Sequence, residues 1–545
     1  MPGWNFADAW EVVARKIPDA QCQVQGTRRV SWGEFDRRAN GVAQTILDRG
    51  AVEQDKVAQY LQNCPEYLES MYAAFKAGLV PINTNYRYAD DELVYLWDNA
   101  DCVAVVFHSS FADRIERIRE RVPRVTTWLW VPDASDPDGP GVCPDWALPY
   151  EDAAKAGTDE PVQGPWGRDG DHLLMLYTGG TTGMPKGVMW RQDDLFRNLA
   201  GSLNGRFRED PVDYGIVDAG VAGAGFVGLP ACPLMHGTGC FTQLILLVAG
   251  GSSVLAESRN LDVVELLDLI ESEKVNQLVI VGDAFAKPIL RELDANPGRW
   301  DLSSMFMIAS SGVMFSEESK QGLLGHNPTM MIIDAFSSSE AVGMGQSIST
   351  AGGASSTAKF VLGANTKVIT EDGRAVEPGS GETGRVAVGG FQPIGYYKDP
   401  DKTAATFITF EGKRYSCPGD WATVEADGSI TLLGRGSVCI NTGGEKVFPE
   451  EVEEVLKTHP AVADAVAVGV PDEKFGEAIT AVVELAPGST FDESAIVVHV
   501  KDKLAAYKAP KRVLAIDTIG RAPNGKVDYK RLKAWAAEEL GVPLS

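Results

Sequence analysis

Leu176-Tyr177-Thr178-Gly179-Gly180-Thr181-Thr182-Gly183-Met184-Pro185-Lys186-Gly187 is the stretch on which the reading of this chain turns. The apolar residues Leu173 to Leu176 lead into it as a buried strand would. Glycines let the backbone turn tightly and aim N–H groups at an anion, and threonine hydroxyls add donors. Lys186 places a positive charge at the far end of the loop. The segment reads as a phosphate-binding loop, though not of the Walker type, which needs Gly-Lys-Ser/Thr where this chain has Pro185-Lys186-Gly187. A plain polar turn does not account for a Gly/Thr cluster closed by Pro-Lys-Gly.

Outward from the loop, short apolar runs alternate with amphipathic ones. Strands are expected over 56–60, 102–107 and 277–281, and helices over 67–77 and 263–273. This alternation predicts an α/β fold with mostly parallel sheets. From 219 to 256 there is no Asp, Glu, Lys or Arg, but Pro230, Pro233 and several glycines interrupt the run. Buried strands and a short buried helix over 244–248 are expected there, and no membrane span. Beyond 432 the character changes. Gly434-Arg435-Gly436-Ser437 is a candidate hinge, followed by a helix over 450–456, strands over 462–470 and 478–484, and a helix over 493–504. The expected organisation is an N-terminal domain over 1–434, a hinge at 435–437 and a small α+β domain over 438–545.

The 545 residues carry 75 acidic and 50 basic side chains, a net charge of -25. That acidity excludes the basic face that nucleic-acid binding needs, so no nucleic-acid partner is expected. The charge is uneven, because the segment 501–533 holds ten Lys/Arg against three Asp. The eight cysteines are scattered with no Cys-x-x-Cys pair, which suits reduced, mostly buried thiols in a cytoplasmic protein rather than a zinc ribbon or disulfide scaffold. No secretory signal is expected, since Asp8 and Glu11 interrupt the start.

Other segments, in order along the chain, join the loop. They include Val30-Ser31-Trp32-Gly33-Glu34-Phe35, Asn63-Cys64-Pro65-Glu66-Tyr67 and Lys76-Ala77-Gly78-Leu79-Val80-Pro81 with Asn83. Later come Ile308-Ala309-Ser310-Ser311-Gly312-Val313-Met314-Phe315, Asp334-Ala335-Phe336-Ser337-Ser338-Ser339-Glu340, Tyr415 to Trp421, and Arg521-Ala522-Pro523-Asn524-Gly525-Lys526. Together they resemble the signature set of the adenylate-forming superfamily, which includes acyl-CoA synthetases, luciferases and nonribosomal adenylation domains. The resemblance implies that superfamily's fold, with a large N-terminal domain and a small mobile C-terminal one.

It also implies roles. Thr178 to Gly183 and Lys186 would hold the ATP phosphates. Ser311, Gly312, Ala335 and Phe336 would pack on adenine, with Asp334 accepting from its exocyclic amine. Ser339 keeps the motif's hydroxyl, and Glu340 is a hard oxygen ligand suited to Mg²⁺ on the phosphates. Asp420 would take the ribose hydroxyls, beside Arg435 on ribose and phosphate. Lys526, which alone would read as a surface lysine, becomes the catalytic lysine that neutralises charge between carboxylate and α-phosphate. Gly443, Gly444 and Lys446 would border the path of the thiol, and His236 would gate the carboxylate.

The implied reaction activates a small-molecule carboxylic acid with ATP to an acyl-AMP and passes the acyl group to coenzyme A. The chain has no Asp-Ser dipeptide, so a fused carrier site is not expected. Trp190-Arg191-Gln192 and Pro233 to Gly239 look like a bacterial branch acting on fatty acids and steroid side chains. Phe336, Ser337, Ser339 and Ser437 depart from the commoner family residues. The alternatives are an acyl-AMP ligase serving a separate carrier, or a nucleotide-binding pseudoenzyme. Monomer and homodimer are both compatible with the sequence.

Overall fold

The computed structural model describes residues 3–133, 139, 141–178, 184–353, 355–442, 445–472, 476–522 and 525–543, with the side chains of 437, 441, 445 and 446 left out. The chain forms two compact units, Met1–Thr357 with Val388–Ser416, and Ala358–Ala387 with Cys417–Ser545. The segments 358–387 and 417–434, which the sequence reading assigned to the N-terminal domain, thus pack with the C-terminal residues.

The first unit is built on two sheets. In one, strands lie in the order Arg28–Ser31, Gln21–Gln25, Ser252–Leu255, Val227–Pro230, Gln277–Ile280, Met307–Ser311, Met331–Ser338 and Ala341–Ser349. Pairing is parallel from Gln21–Gln25 through Met331–Ser338 and antiparallel at both ends. The other sheet has the order Gly395–Tyr396, Lys186–Arg191, Leu173–Thr178, Val80–Asn83, Lys56–Tyr60, Cys102–His108, Thr127–Val131 and Leu148–Pro149. Helix Pro65–Ala77 is buried along its whole length, its charged residues Glu66, Glu69 and Lys76 paired with Arg28, Arg38, Glu11 and Asp36, and ends on Gly78 in the left-handed region (φ 70°). Open α/β sheets bind ligands beyond the carboxyl ends of their parallel strands, and Ser311 and Asn83 stand at such ends.

In the second unit, Lys359–Leu362, Ile430–Arg435, Asp420–Val424 and Thr383–Val388 form one antiparallel set. The long hairpin Val462–Asp472 with Gly476–Leu485 carries Arg512–Ala515 and Ile440–Thr442, and helices Pro449–Lys457, Glu493–Lys501 and Tyr529–Glu539 complete the unit.

Two expectations are corrected. The helix expected over 493–504 stops at Lys501, where the Lys503 N–H bonds the Val500 carbonyl at 3.1 Å in a tighter i→i−3 turn. The uncharged run from 219 is not buried at its start. Ala219, Gly220, Ala222, Ala224 and Phe226 are exposed, and burial sets in with the strand Val227–Pro230. All eight cysteines are free thiols, six of them buried. Among the described residues, no helix is long and apolar enough to cross a membrane.

Candidate active site

Thr178 ends its strand directly across from Lys186, which begins the antiparallel neighbour Lys186–Arg191. The two feet of the Gly/Thr loop are therefore fixed in one sheet. Gly179, Gly180, Thr181, Thr182 and Gly183 lie outside the described residues. Lys186 bonds the carboxylate of Asp399, and that contact holds Asp399 below the usual carboxylate range. Asp399 also caps helix Pro400–Thr406, accepting from the Lys402 N–H at 2.9 Å.

Ser339 and Glu340 form the two-residue tip of the hairpin in which Ser338 pairs with Ala341. Three side chains pin that tip. The indole of fully buried Trp190 donates to the Ser339 carbonyl at 2.9 Å, Ser416 Oγ donates to the Glu340 carbonyl at 2.6 Å, and the Tyr396 hydroxyl donates to Glu340 Oε1 at 2.9 Å. Strand alternation puts Lys186, Val188 and Trp190 on one face, and Tyr396 is in register with Val188. One strand thus carries both the loop lysine and the support of the Glu340 hairpin. The Tyr396 hydroxyl thus fixes the direction of the Glu340 carboxylate.

Ser311 lies in register with Ala335, and Ser310 with Asp334. Gly312 leaves the strand at φ 95°, a left-handed value that glycine adopts without steric cost. Phe336 is buried and faces Gly345 across the antiparallel pair. Asp334 pairs through Oδ2 with the Lys320 ammonium at 3.1 Å, both side chains being buried. Burial pushes the Asp334 carboxyl up to about 6, against the opposing effect of Lys320. Thr238 Oγ1 donates to the Ser311 carbonyl at 3.4 Å, which ties the start of helix Gly237–Val248 to the same strand end. His236 is the N-cap residue of that helix, its carbonyl accepting from the Cys240 N–H at 2.9 Å.

Two asparagines fasten the chain before His236. Asn83 Oδ1 accepts from the Tyr177 N–H at 2.6 Å, while its amide donates to the carbonyls of Tyr177 (2.9 Å) and Met235 (2.7 Å). Asn63 accepts from the Leu234 N–H at 2.7 Å and donates to the Cys232 carbonyl at 3.1 Å. Thr178, His236, Ser311 and Ala335 are therefore joined through backbone and buried amides.

In the second unit, Asp420 and Arg435 are cross-strand partners, with Asp420 Oδ1 3.2 Å from Arg435 Nε. Asp420 Oδ2 is buried with no hydrogen-bond partner among the described residues. Beside them lies Glu450, at the start of helix Pro449–Lys457. Gly434 holds φ 119°, a value that favours glycine, and a Cβ there would come within 2.0 Å of the Glu450 Oε2. Burial and the neighbouring Glu453 carboxylate push Glu450 up to about 8. Lys526 is exposed on a turn closed by the Gly525 N–H to the Ala522 carbonyl (2.7 Å) and the Ala522 N–H to the Lys526 carbonyl (2.9 Å). Arg521 braces the turn, gripping Asp464 at 2.6 and 2.8 Å and donating to the Gly525 carbonyl at 3.2 Å. Gly443 and Gly444 lie outside the described residues, and Lys446 is placed by its backbone alone, in the strand Glu445–Val447.

The family model for AMP-binding enzymes matches residues 10–397, and that for the AMP-binding enzyme C-terminal domain matches 451–526. The chain belongs to the AMP-binding enzyme family. Among its relatives is a medium/long-chain-fatty-acid–CoA/3-oxocholest-4-en-26-oate–CoA ligase of Mycolicibacterium smegmatis, 40% identical over 98% of this chain and 96% of that one. A 3-oxocholest-4-en-26-oate–CoA ligase of Rhodococcus rhodochrous is also 40% identical, over 99% and 96%. Among solved structures, ATP-bound MatB from Rhodopseudomonas palustris superposes with a TM-score of 0.79 at 25% identity, covering 98% of this chain and 100% of that one.

The sequence singles out the loop, the hairpin acid and the lysine turn, but not the residues that hold them in place. Trp190, Ser416, Asn63 and Asn83 stood inside quoted segments without a role, and Tyr396 stood outside them. Lys320 and Glu450 gave no signal at all, since a lone Lys or Glu within a helical pattern reads as a solvated side chain.

Proposed function

We propose that the protein is an ATP-dependent acyl-CoA ligase. It converts a carboxylic acid to an acyl-AMP with release of pyrophosphate, then transfers the acyl group to the thiol of coenzyme A. The observation that carries this reading is the pinned Glu340 hairpin beside the strand that bears Lys186, in a chain akin over its whole length to acid–CoA ligases. The substrate class is a medium- to long-chain fatty acid or a steroid side-chain carboxylate, by kinship with those relatives and by the uncharged stretch from 219 to 256.

Phosphoryl transfer asks the protein mainly for position and charge neutralisation. Thr178 and Lys186 serve the phosphates, together with Gly179 to Gly183. Ser311, Gly312, Ala335 and Phe336 flank the base, with Asp334 on its amine. Asp420 and Arg435 serve the ribose, Asp420 through its unpartnered buried oxygen. Glu340 fits Mg²⁺ as a single hard oxygen donor, oriented by Tyr396, with nucleotide phosphates completing the set. That ion would supply Lewis-acid neutralisation of the phosphate oxygens.

The carboxylate passes His236 and attacks the α-phosphorus in line. Lys526 neutralises the charge that develops there. The chain then turns at 435–437, between domains 1–434 and 438–545. This withdraws Lys526, and Gly443, Gly444 and Lys446 border the entering thiol.

Pyrophosphate release measured across a panel of acids, with and without coenzyme A, tests the proposal. Thioester formation from long-chain or steroidal acids is expected. Activity confined to acetate, benzoates or amino acids overturns the substrate class, and acyl-AMP that accumulates unconsumed with coenzyme A present overturns the acceptor.

A further inference from the structure

Lys320 is a buried cation that the proposed reaction leaves unused. It stands in the first turn of helix Glu317–His326, with its side chain 1% exposed. Burial and the positive end of the helix both disfavour a cation there. Its ammonium nevertheless lies 3.1 Å from Asp334 Oδ2 and 3.2 Å from Ser355 Oγ, and 5.4 Å from the centre of the Phe315 ring. Ser355 Oγ is in turn bonded to Ser347 Oγ at 3.0 Å and Ser349 Oγ at 2.9 Å. The helix start is locked, because Asp283 accepts from both the N–H (3.1 Å) and the Oγ (3.0 Å) of its cap residue Ser316.

The charged groups acting on Asp334 are therefore Lys320, from helix Glu317–His326, and Asp283, from helix Asp283–Ala295. A buried ion pair is a poor source of stability, since desolvating two charges offsets most of their attraction. Its retention beside Ser311, Ala335 and Phe336 asks for another reason.

We propose that Lys320 is a positioning residue for nucleobase recognition, holding Asp334 as an ionised, aimed acceptor for the exocyclic amine of the base. This rests on the reading of Asp334 given above. A base with a carbonyl in place of the amine would meet the carboxylate acceptor to acceptor, so the pair discriminates ATP from ITP as well as binding ATP.

Calorimetric affinities of the full chain for ATP and ITP between pH 5 and pH 8 test this without reference to turnover. In the wild type, ATP affinity should fall as pH drops through about 6, where Asp334 takes up its proton. Lys320→Met should weaken ATP binding at neutral pH by about tenfold, move the acid limb to higher pH and shrink the preference for ATP over ITP. Lys320→Arg should restore all three. Asp334→Asn should abolish the limb.

The proposal is overturned if Lys320→Met keeps the wild-type affinity and limb while Asp334→Asn loses them. If Asp334→Asn also changes nothing, the base-reading role of Asp334 falls and the proposal with it. Acyl-AMP formation by the wild type reports separately on the ligase reading. Should circular dichroism show Lys320→Met unfolded, Lys320→Gln, a neutral amide donor, decides in its place, and an unmoved limb there overturns the proposal.

Discussion

The Glu340 hairpin in the first unit and the Lys526 turn in the second present one charged side chain each, and they are supported in opposite ways. The hairpin tip is held by three neutral donors, Trp190, Ser416 and Tyr396, with Trp190 and Ser416 wholly buried and Tyr396 nearly so. The lysine turn is held by an ion pair, Arg521 on Asp464, and its lysine is exposed. A buried neutral network fixes a group in one geometry, because losing any member leaves a polar atom unsatisfied. A braced surface turn keeps its own shape yet can be carried as a body. The first support suits a group that binds throughout the reaction, the second a group needed for one half of it.

The largest expected effect breaks the mobile side of this contrast. Lys526→Ala should lower acyl-AMP formation by about three orders of magnitude while leaving thioester formation from supplied acyl-AMP largely intact. Parallel loss of both half-reactions, in pyrophosphate-release and thioester assays, would deny the lysine a role restricted to adenylation. The stationary side is sharpened by Tyr396→Phe, which removes the donor that aims Glu340. About tenfold more Mg²⁺ should be needed for half-maximal activity, with KM for the acid little changed, and a Mg²⁺ titration reads it directly.

The smallest effect concerns Glu450. It stays protonated in the folded chain up to about 8, whereas the unfolded chain ionises it in the ordinary carboxylate range. The folded form therefore binds the extra proton between those limits. The contribution to stability is complete below the ordinary range and is lost as pH rises through about 8. Glu450→Gln, neutral at every pH, should flatten that slope and raise the melting temperature near pH 8 by about 2–4 °C. A slope identical to the wild type in thermal scans would contradict the assignment.

The sequence disclosed what is local. The apolar run before the loop, the strands at 56–60 and 102–107 and the helix at 450–456 follow from periodicity over a few residues, and the structure has them within a residue or two apart from the longer ends. The motif residues Glu340, Asp420 and Lys526 were legible because order and spacing carry them. The supports were not legible, because they join distant positions. Asn83 meets Met235 and Tyr396 meets Glu340 through contacts that no window spans. The packing of 358–387 and 417–434 with the C-terminal residues was hidden for the same reason. Gly434-Arg435-Gly436 looks like a break locally, yet Trp421 lies tilted against Phe448 (6.1 Å between ring centres) and Glu450 fills the space at Gly434, packing that composition alone does not reveal.

The two asparagine latches have a practical meaning for redesign. Asn63 and Asn83 grip only the main chain of Cys232, Leu234 and Met235. They are indifferent to the side chains carried there, and to those of helix Gly237–Val248 beyond. A seam cut just after Met235 would keep both clasps whole. Helices from other family members could then be exchanged behind it, with the chain before each graft held by the same two clasps.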